Sequence, residues 1–153
     1  MFKGGALQRE MDFHLKLVVP SDPRFLSIAR TAVSEVSAIC GLSEELCQGV
    51  TLAVDEALAN VIRHAYKNRN DREIELDCEV SADQLVFRLL DQGEPPDPAR
   101  ICWEPLNDVS LDGRGTHLIR AIMDEMSYKQ TQGNNELRLV KILPGTQVIP
   151  ANE

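Results

Sequence analysis

The sequence predicts an α/β two-layer sandwich, with a mixed, mostly antiparallel sheet of about five strands and three helices on one face. Two observations lead to this fold class. Strand-like and helix-like periodicities occur in the order strand, helix, helix, strand, strand, loop, helix, strand, strand. Neither an internal repeat nor a linker interrupts the chain, so residues 1–153 are expected to form a single domain with its core at about 12–143.

The first two elements are a strand and a helix. From Asp12 to Val19 apolar residues alternate, as in a half-buried strand. Asp22 is a good N-cap before Pro23, and Gly41 ends the helix that follows. The apolar stripe of this helix is wide. A broad core contact explains it, and a partner surface on part of the stripe is the alternative.

The second helix is predicted to begin after the cap residue Ser43, and its helical pattern ends at about Lys67–Asn70. Its apolar positions have the spacing of one buried face. Glu56 and Asn60 are four residues apart, so they project on the same side, beside that face. Such a pair can serve a metal ion and a nucleophile at once. The alternative is an ordinary solvated pair, because Glu-x-x-x-Asn is common.

The remaining elements follow from alternation and turn residues. Two strands come first, and the second is the more apolar, so we expect it to be central and to end at Asp91. Residues 92–112 have no clear period, and a loop of this length is expected to be either functional or disordered; in a nucleotide site it would act as a lid that excludes water from the phosphates. A helix through about Met126 precedes strands near 127–132 and 136–143, joined by a hairpin turn at Gly133–Asn135.

Composition excludes several function classes. The chain is 43% hydrophobic and 26% charged, which is typical of a soluble globular protein. Its formal net charge of −8 disfavours direct nucleic-acid binding, which needs a basic face. No apolar run approaches the roughly 20 residues of a membrane span, and the first residues lack the apolar core of a signal peptide. We therefore expect a cytoplasmic protein with no membrane contact.

The four cysteines do not form a metal-binding pattern. Cys40, Cys47, Cys78 and Cys102 include no C-x-x-C pair and none lies near a histidine at a zinc-like spacing. We expect buried, reduced thiols.

Two further motifs suggest a nucleotide site when combined with Glu56 and Asn60. The first is D-Q-G-E-P, from Asp91 to Pro95, at the end of the central strand. A shielded Asp91 can accept a hydrogen bond from an exocyclic amine such as adenine N6, which favours adenine over guanine. Gly93 permits a close approach of the backbone to the base.

The second motif is G-R-G-T, from Gly113 to Thr116, which opens a helix. Gly113 and Gly115 let the main chain curl around phosphates, and the helix start offers free N–H groups. Arg114 either adds contacts to phosphate or points to solvent. Asn60 offers an oxygen to Mg²⁺, and Glu56 can orient or deprotonate an attacking hydroxyl.

These motifs, in this order, resemble those of the anti-sigma-factor serine/threonine kinases, a branch of the ATPase superfamily that includes DNA gyrase, heat-shock chaperones and histidine kinases. DEALANVIRHAY resembles the N box, DQGEPPDP the first glycine box and GRGTHLIRAIMDEMSY the second. The resemblance spans about residues 12–143. It implies the Bergerat ATP-binding fold of the GHKL superfamily, with ATP and Mg²⁺ as cofactors.

The resemblance also implies roles for individual residues. By matching of the motifs, Glu56 is the catalytic base, Asn60 the metal ligand and Asp91 the adenine acceptor, while Gly93, Gly113 and Gly115 are positions of close backbone approach. Pro95, Arg114 and Thr116 belong to the same two glycine motifs. Asp112, Thr116 and His117 depart from the pattern, because relatives often have glycine at the first position and more apolar residues at the other two. A carboxylate beside the phosphates should weaken ATP binding unless it faces outward.

The implied function is that of a kinase and anti-sigma factor. It would hold a sigma factor inactive and phosphorylate a small anti-sigma-factor antagonist protein in a partner-switching circuit. The alternatives are an ATP-binding regulatory module that binds a partner without phosphoryl transfer, and control of a non-sigma target. A homodimer is implied by the resemblance and is compatible with the wide stripe on the first helix.

Overall fold

Five strands form one sheet in the order β1-β2-β3-β5-β4. The computed structural model describes residues 12–97 and 114–144. The strands are β1 (Phe13–Pro20), β2 (Glu73–Val80), β3 (Gln84–Asp91), β4 (Glu125–Thr131) and β5 (Asn134–Ile142). β3 occupies the centre, as its apolar composition predicted. All neighbouring strands in the described ranges pair antiparallel, so the parallel component expected of a mixed sheet does not occur there.

The connections explain why each pair is antiparallel. Two helices lie between β1 and β2, so the chain enters β2 at the end where β1 stopped, and Pro20 pairs with Glu73. A single helix separates β3 from β4, which makes these two strands run in the same direction. They are not neighbours, however, because β5 inserts between them.

The first two helices begin and end at the predicted signals. A 3₁₀ turn, Pro23–Phe25, leads into α1 (Leu26–Ile39), and the Asp22 side chain accepts a hydrogen bond from the Arg24 N–H. Gly41 has a φ of 84°, the left-handed conformation that commonly ends a helix. α2 (Glu44–Asn60) is capped by the Ser43 hydroxyl oxygen, which accepts from the Leu46 N–H.

The helix that carries the Glu-x-x-x-Asn pair does not continue as an α-helix to residue 67. After Asn60 it widens into a π-helical turn, Val61–Ala65, in which the Tyr66 N–H donates to the carbonyl of Val61. The Tyr66 hydroxyl donates to the Glu73 carbonyl at 2.6 Å and accepts from the Gln92 N–H at 3.0 Å. This side chain therefore connects the end of the helix to the start of β2 and to the residue that follows β3, which local propensity does not reveal.

The last helix, α3 (Arg114–Ile122), is shorter than predicted, because the residues at its predicted end belong to strand β4 instead. The Asp124 N–H donates to the Val140 carbonyl, and the Asp124 carboxylate accepts from the Ile142 N–H. Pairing with β5 thus starts β4 at Glu125 rather than near residue 127. α3 packs on α2, where a Cβ added at Gly49 would lie 3.6 Å from the Ile122 side chain.

One face of the sheet and the helices enclose the core. The largest fully buried apolar side chains on these elements are Phe87, Leu58, Ile74, Leu76, Leu85, Leu89 and Leu139. The opposite face carries cross-strand ion pairs, Lys16–Glu75 at 2.9 Å, Arg88–Glu79 at 2.7 Å and Lys129–Glu136 at 3.0 Å. The prediction of helices on one face is therefore confirmed. None of the helices in the described ranges combines the length and apolar character that a membrane span requires.

Three of the four cysteines belong to this core. Cys40, Cys47 and Cys78 are buried thiols outside any disulfide, as predicted, while Cys102 lies outside the described residues. Burial raises the pKa of Cys40 to about 11 and that of Cys78 to about 12. These thiols stay protonated near neutral pH, so they act as small apolar side chains rather than nucleophiles.

Candidate nucleotide site

The predicted adenine acceptor, Asp91, is held rigidly at the end of the central strand. Its side chain points to the helix-covered face, and the residue is only 8% exposed. Its Oδ1 accepts hydrogen bonds from the Gly93 N–H at 2.9 Å and from Asn135 Nδ2 at 2.8 Å. Asn135 Nδ2 also donates to the Gly93 carbonyl at 2.9 Å. Three residues thus form one fixed polar group.

Sequence reasoning missed Asn135, because it placed this residue in a turn. The two turn residues are Gln132 and Gly133, with φ values of 51° and 81°, and β5 begins at Asn134. Asn135 therefore pairs directly with Asp91 in the β3–β5 register, and both side chains lie on the helix-covered face of the sheet. A turn of two residues with positive φ is the common hairpin geometry, and testing Gln-Gly for it would have placed Asn135 correctly.

The electrostatic environment of Asp91 suits a carboxylate that accepts a hydrogen bond from an uncharged donor. Burial raises the pKa of Asp91, and the donors Asn135 and Gly93 oppose that rise by stabilising the charged form. In the described part of the chain, Asp91 Oδ2 receives no hydrogen bond, and Asn135 Oδ1 is buried without a partner. A buried acceptor atom without a donor is costly, so this arrangement favours a ligand or water that donates hydrogen bonds.

Gly93 is required by its contact with the end of the α2 segment. A Cβ added there would lie 2.4 Å from the carbonyl oxygen of Ala65. The next residue, Glu94, donates its N–H to the same oxygen at 2.9 Å. The described structure thus gives a different reason for glycine than close approach to a base: only glycine lets this turn rest on the π-helical segment.

The side chains of Glu56 and Asn60 lie on the same side of α2, as the sequence predicted, and Arg63 contacts both of them. Arg63 Nη2 donates to Glu56 Oε1 at 2.9 Å and to Asn60 Oδ1 at 2.8 Å. Both polar side chains are partly exposed beside the core. Carboxylate and amide oxygens are hard ligands of the kind Mg²⁺ takes, and these two already converge on one cationic nitrogen. The residues present therefore fit a magnesium ion.

Topology brings the three predicted features to one end of the molecule. β3 ends at Asp91, at the end of the sheet where β5 begins. α2 runs in the same direction as β3, so Asn60 lies at this end too. α3 returns to the opposite end, where Glu125 pairs with Val140, so its first turn at Arg114 faces the same end as Asp91 and Asn60.

Parts of the phosphate-binding prediction lie beyond what is described. Gly113 and most of the loop, residues 98–112, are outside the described ranges, while Arg114, Gly115 and Thr116 form the first turn of α3. Pro95 is exposed and lines a cavity of about 460 Å³ together with Tyr66, Arg72 and Gly93. That cavity does not include Glu56, Asn60 or Asp91. Within residues 12–97 and 114–144, no cluster of three His, Cys, Asp or Glu side chains could hold a metal.

Comparison with protein families tests the resemblance to the ATPase superfamily that the motifs indicated. The model of the histidine kinase-like ATPase domain matches residues 19–141. The chain belongs to this family. The histidine kinase-like ATPase match includes Glu56, Asn60, Asp91 and Gly93 within a single span. It implies that the chain binds ATP.

Curated relatives refine the position within the histidine kinase-like ATPases. The chain is 28% identical over 128 residues to the serine-protein kinase RsbW of Oceanobacillus iheyensis, covering 78% of this chain and 81% of that protein. It is 25% identical over 147 residues to RsbW of Bacillus subtilis, covering 88% of this chain and 89% of that protein. The predicted resemblance to this branch is thereby confirmed.

Solved structures confirm the fold. A Mycobacterium tuberculosis crystal structure of RsbU and RsbW domains matches with a TM-score of 0.62 at 14% identity, over 85% of this chain and 32% of that chain. The histidine kinase domain of a blue-light-activated kinase from Erythrobacter litoralis matches with a TM-score of 0.53 at 19% identity, over 82% of this chain and 62% of that chain. The predicted Bergerat-type two-layer fold is therefore confirmed.

Proposed function

We propose that this protein is an ATP-dependent serine/threonine kinase that acts as an anti-sigma factor and phosphorylates a small antagonist protein. The observation that carries the proposal is the placement of a buried acceptor, Asp91, and a carboxylate–amide pair, Glu56 and Asn60, at one end of an ATPase-family fold. The serine-protein kinases among its relatives support the choice of reaction.

Asp91 would select the base. Its Oδ1 is fully engaged by Gly93 and Asn135, which leaves Oδ2 to accept a hydrogen bond from the exocyclic amine of adenine. Guanine presents a carbonyl oxygen at the equivalent position, and two acceptors facing each other in a poorly solvated site repel. The geometry therefore favours ATP over GTP.

Glu56 and Asn60 would act at the phosphate end. Asn60 would hold Mg²⁺, which neutralises phosphate charge during transfer. Glu56 would orient the acceptor hydroxyl of the antagonist and take its proton. Gly113, Arg114, Gly115 and Thr116 would surround the phosphates with backbone N–H groups at the start of α3.

The protein partners would be a sigma factor and its small antagonist, in the cytoplasm. The buried reduced thiols Cys40, Cys47 and Cys78 agree with a reducing compartment. A second copy of the chain would cover part of α1, where Ile28 and Ile39 are 53% and 52% exposed while Ala29 and Val33 on the opposite side are buried. The core therefore explains only half of the predicted wide stripe.

A second candidate function is a regulatory module that binds ATP and a partner but transfers nothing. The contact of Arg63 with both Glu56 and Asn60 favours this regulatory module, because the carboxylate of Glu56, the proposed base, is paired with a guanidinium in this arrangement. Control of a target other than a sigma factor would use the same site.

Phosphoryl transfer from labelled ATP to candidate antagonist proteins of the same organism tests the proposal. We expect Mg²⁺-dependent labelling of a serine or threonine by the unmodified chain. Glu56→Ala should slow transfer by about 10²- to 10⁴-fold while ATP still binds. Asp55→Ala is the matched control, because Asp55 is the neighbouring carboxylate and pairs with Arg30 instead. Asn60→Ala should abolish the increase in ATP affinity that Mg²⁺ gives, because the ion loses its protein ligand.

Two results would count against this reading. ATP binding without transfer to any antagonist, at sufficient Mg²⁺, would favour the regulatory module. Full transfer by Glu56→Ala would reject the role of Glu56 as the base.

A further inference from the structure

Arg63 takes the position of a cation between the two residues that would serve catalysis. A single nitrogen, Nη2, donates to Glu56 Oε1 at 2.9 Å and to Asn60 Oδ1 at 2.8 Å. In the described part of the chain these are the only hydrogen bonds made by the Glu56 and Asn60 side chains. One positive charge therefore engages both predicted functional groups.

The position of Arg63 follows from helical geometry. Residues 56, 60 and 63 are spaced at i, i+4 and i+7, which places them on one face. Side chains on a helix lean towards its N-terminus, so a long side chain at residue 63 reaches back over residues 60 and 56. The π-helical turn at Val61–Ala65 starts between Asn60 and Arg63 and makes this junction a local departure from regular helix.

We propose that Arg63 occupies the magnesium position in the nucleotide-free protein and must leave it when Mg²⁺ and nucleotide bind. This inference rests on the proposed function, in which Asn60 holds the ion. Guanidinium and Mg²⁺ seek the same oxygen atoms, so binding of one at Asn60 excludes the other. The Arg63 side chain is 50% exposed and that of Glu56 28% exposed. An ion pair this exposed is weak, which suits a contact that a divalent ion replaces.

The consequence is a built-in link between nucleotide loading and the state of Glu56. While Arg63 remains in place, the carboxylate of Glu56 is paired and its oxygen is occupied. When the guanidinium leaves, Glu56 becomes available to the acceptor hydroxyl. Arg63 is thus a positioning residue, and its effect should appear in Mg²⁺ dependence rather than in nucleotide recognition itself.

Measuring the ADP affinity of the full chain at increasing Mg²⁺ concentrations tests the inference without any measurement of activity. Arg63→Met keeps an unbranched side-chain stem and removes the guanidinium with its charge. We expect it to lower the Mg²⁺ concentration at half-effect by about twofold to fivefold, the range that loss of an exposed ion pair allows. ADP affinity without Mg²⁺ should not change. Arg30→Met is the matched control, because it breaks the comparable pair with Asp55, 3.0 Å apart, and should cause no shift.

The outcomes separate this inference from the proposed function. An unchanged or increased Mg²⁺ requirement in Arg63→Met overturns the displacement model, and Arg63→Gln repeats the comparison if the Met variant does not fold. If Mg²⁺ has no effect on ADP binding by the unmodified chain, the magnesium site at Asn60 fails and the inference falls with it. If Asn60→Ala abolishes the Mg²⁺ effect while Arg63→Met leaves it unshifted, only the inference fails.

Discussion

The two halves of the candidate site differ in how they are built. At the adenine end, Asp91 and Asn135 are 8% and 1% exposed and are fixed by hydrogen bonds to each other and to Gly93. At the phosphate end, Glu56 and Asn60 are partly exposed and are held by one side chain, Arg63. A buried network of mutual hydrogen bonds is rigid, whereas an exposed ion pair exchanges partners readily.

The difference indicates a division of labour. The end at Asp91, where adenine would bind under the proposed function, is preorganised, so it could select a base at little cost in conformational ordering. Under the proposed function, the end at Glu56 and Asn60 would admit an ion, phosphates and a protein hydroxyl in turn, and a replaceable contact would serve that need. Substitutions at the buried end should therefore affect both folding and binding, while those at the exposed end should affect chemistry with little effect on folding.

The largest effect is expected from Gly93→Ala. The added Cβ would lie 2.4 Å from the Ala65 carbonyl oxygen, so the turn must move away from the π-helical segment. We expect a loss of about 1–3 kcal/mol in the free energy of unfolding and loss of ATP binding, measured by denaturant unfolding and calorimetry. Gly49→Ala is the control, because its Cβ would make only an ordinary 3.6 Å contact with Ile122 and should stabilise the helix. Equal effects of the two would show that the buried end is not rigid.

Asp91→Asn should weaken ATP binding without destabilising the fold. The amide keeps an oxygen for the Gly93 and Asn135 donors but presents an N–H₂ group to adenine, so ATP affinity should fall by about tenfold to a hundredfold in calorimetric titration. Unaltered ATP affinity would remove Asp91 from the site.

The same substitution makes a prediction for stability against pH. Burial raises the pKa of Asp91 above its ordinary value of 3.8, so the folded chain holds this proton more tightly than the unfolded chain. The charged carboxylate therefore lowers stability as pH rises above 3.8, and the full loss is present above the folded pKa. Asp91→Asn should unfold at a higher temperature than the unmodified chain at pH 7, and this advantage should disappear below pH 3.8.

Asn135→Leu should have a smaller effect on binding. It keeps a similar volume but removes the donor to Asp91 Oδ1 and to the Gly93 carbonyl. Because two buried acceptors lose a partner, we expect about 1–3 kcal/mol less stability and a fewfold weaker ATP affinity. Thermal unfolding and ATP titration measure the two effects. No change in either would mean that Asn135 does not organise the buried end.

The smallest effect on the site is expected from Ile28→Lys on α1. Ile28 is 53% exposed and is not among the candidate site residues, so the isolated domain should keep its stability and ATP affinity. A lysine placed in an apolar interface is unfavourable, so a dimer that uses this face should dissociate. Light scattering on the variant and the unmodified chain measures this. A dimer unaffected by the change would place the second copy elsewhere.

Much of the fold was predictable because local signals agreed with the tertiary structure. Asp22 and Ser43 cap their helices, and alternation placed the central strand so that it ends at Asp91. The hairpin turn and the end of α3 were displaced by a few residues, because pairing with β5 starts β4 at Glu125 and no local residue marks that point.

The site was less predictable where contacts cross long distances in the chain. Asn135 meets Asp91 only through the register of β3 and β5, 44 residues apart. The role of Arg63 depends on the reach of its side chain over Asn60, and spacing alone does not distinguish that from a solvated arginine. Motif order predicted roles for Glu56, Asn60 and Asp91, and the structure places Asn60 at the end of α2 and Asp91 at the end of β3.

Calorimetric titration of the unmodified chain with ATP and with GTP tests the central claim most directly. If the fixed carboxylate of Asp91 reads the exocyclic amine of adenine, ATP should bind at least about tenfold more tightly than GTP, as expected for a buried polar group left unpaired by the wrong base. Equal affinity for the two nucleotides, or no binding of ATP, would contradict it.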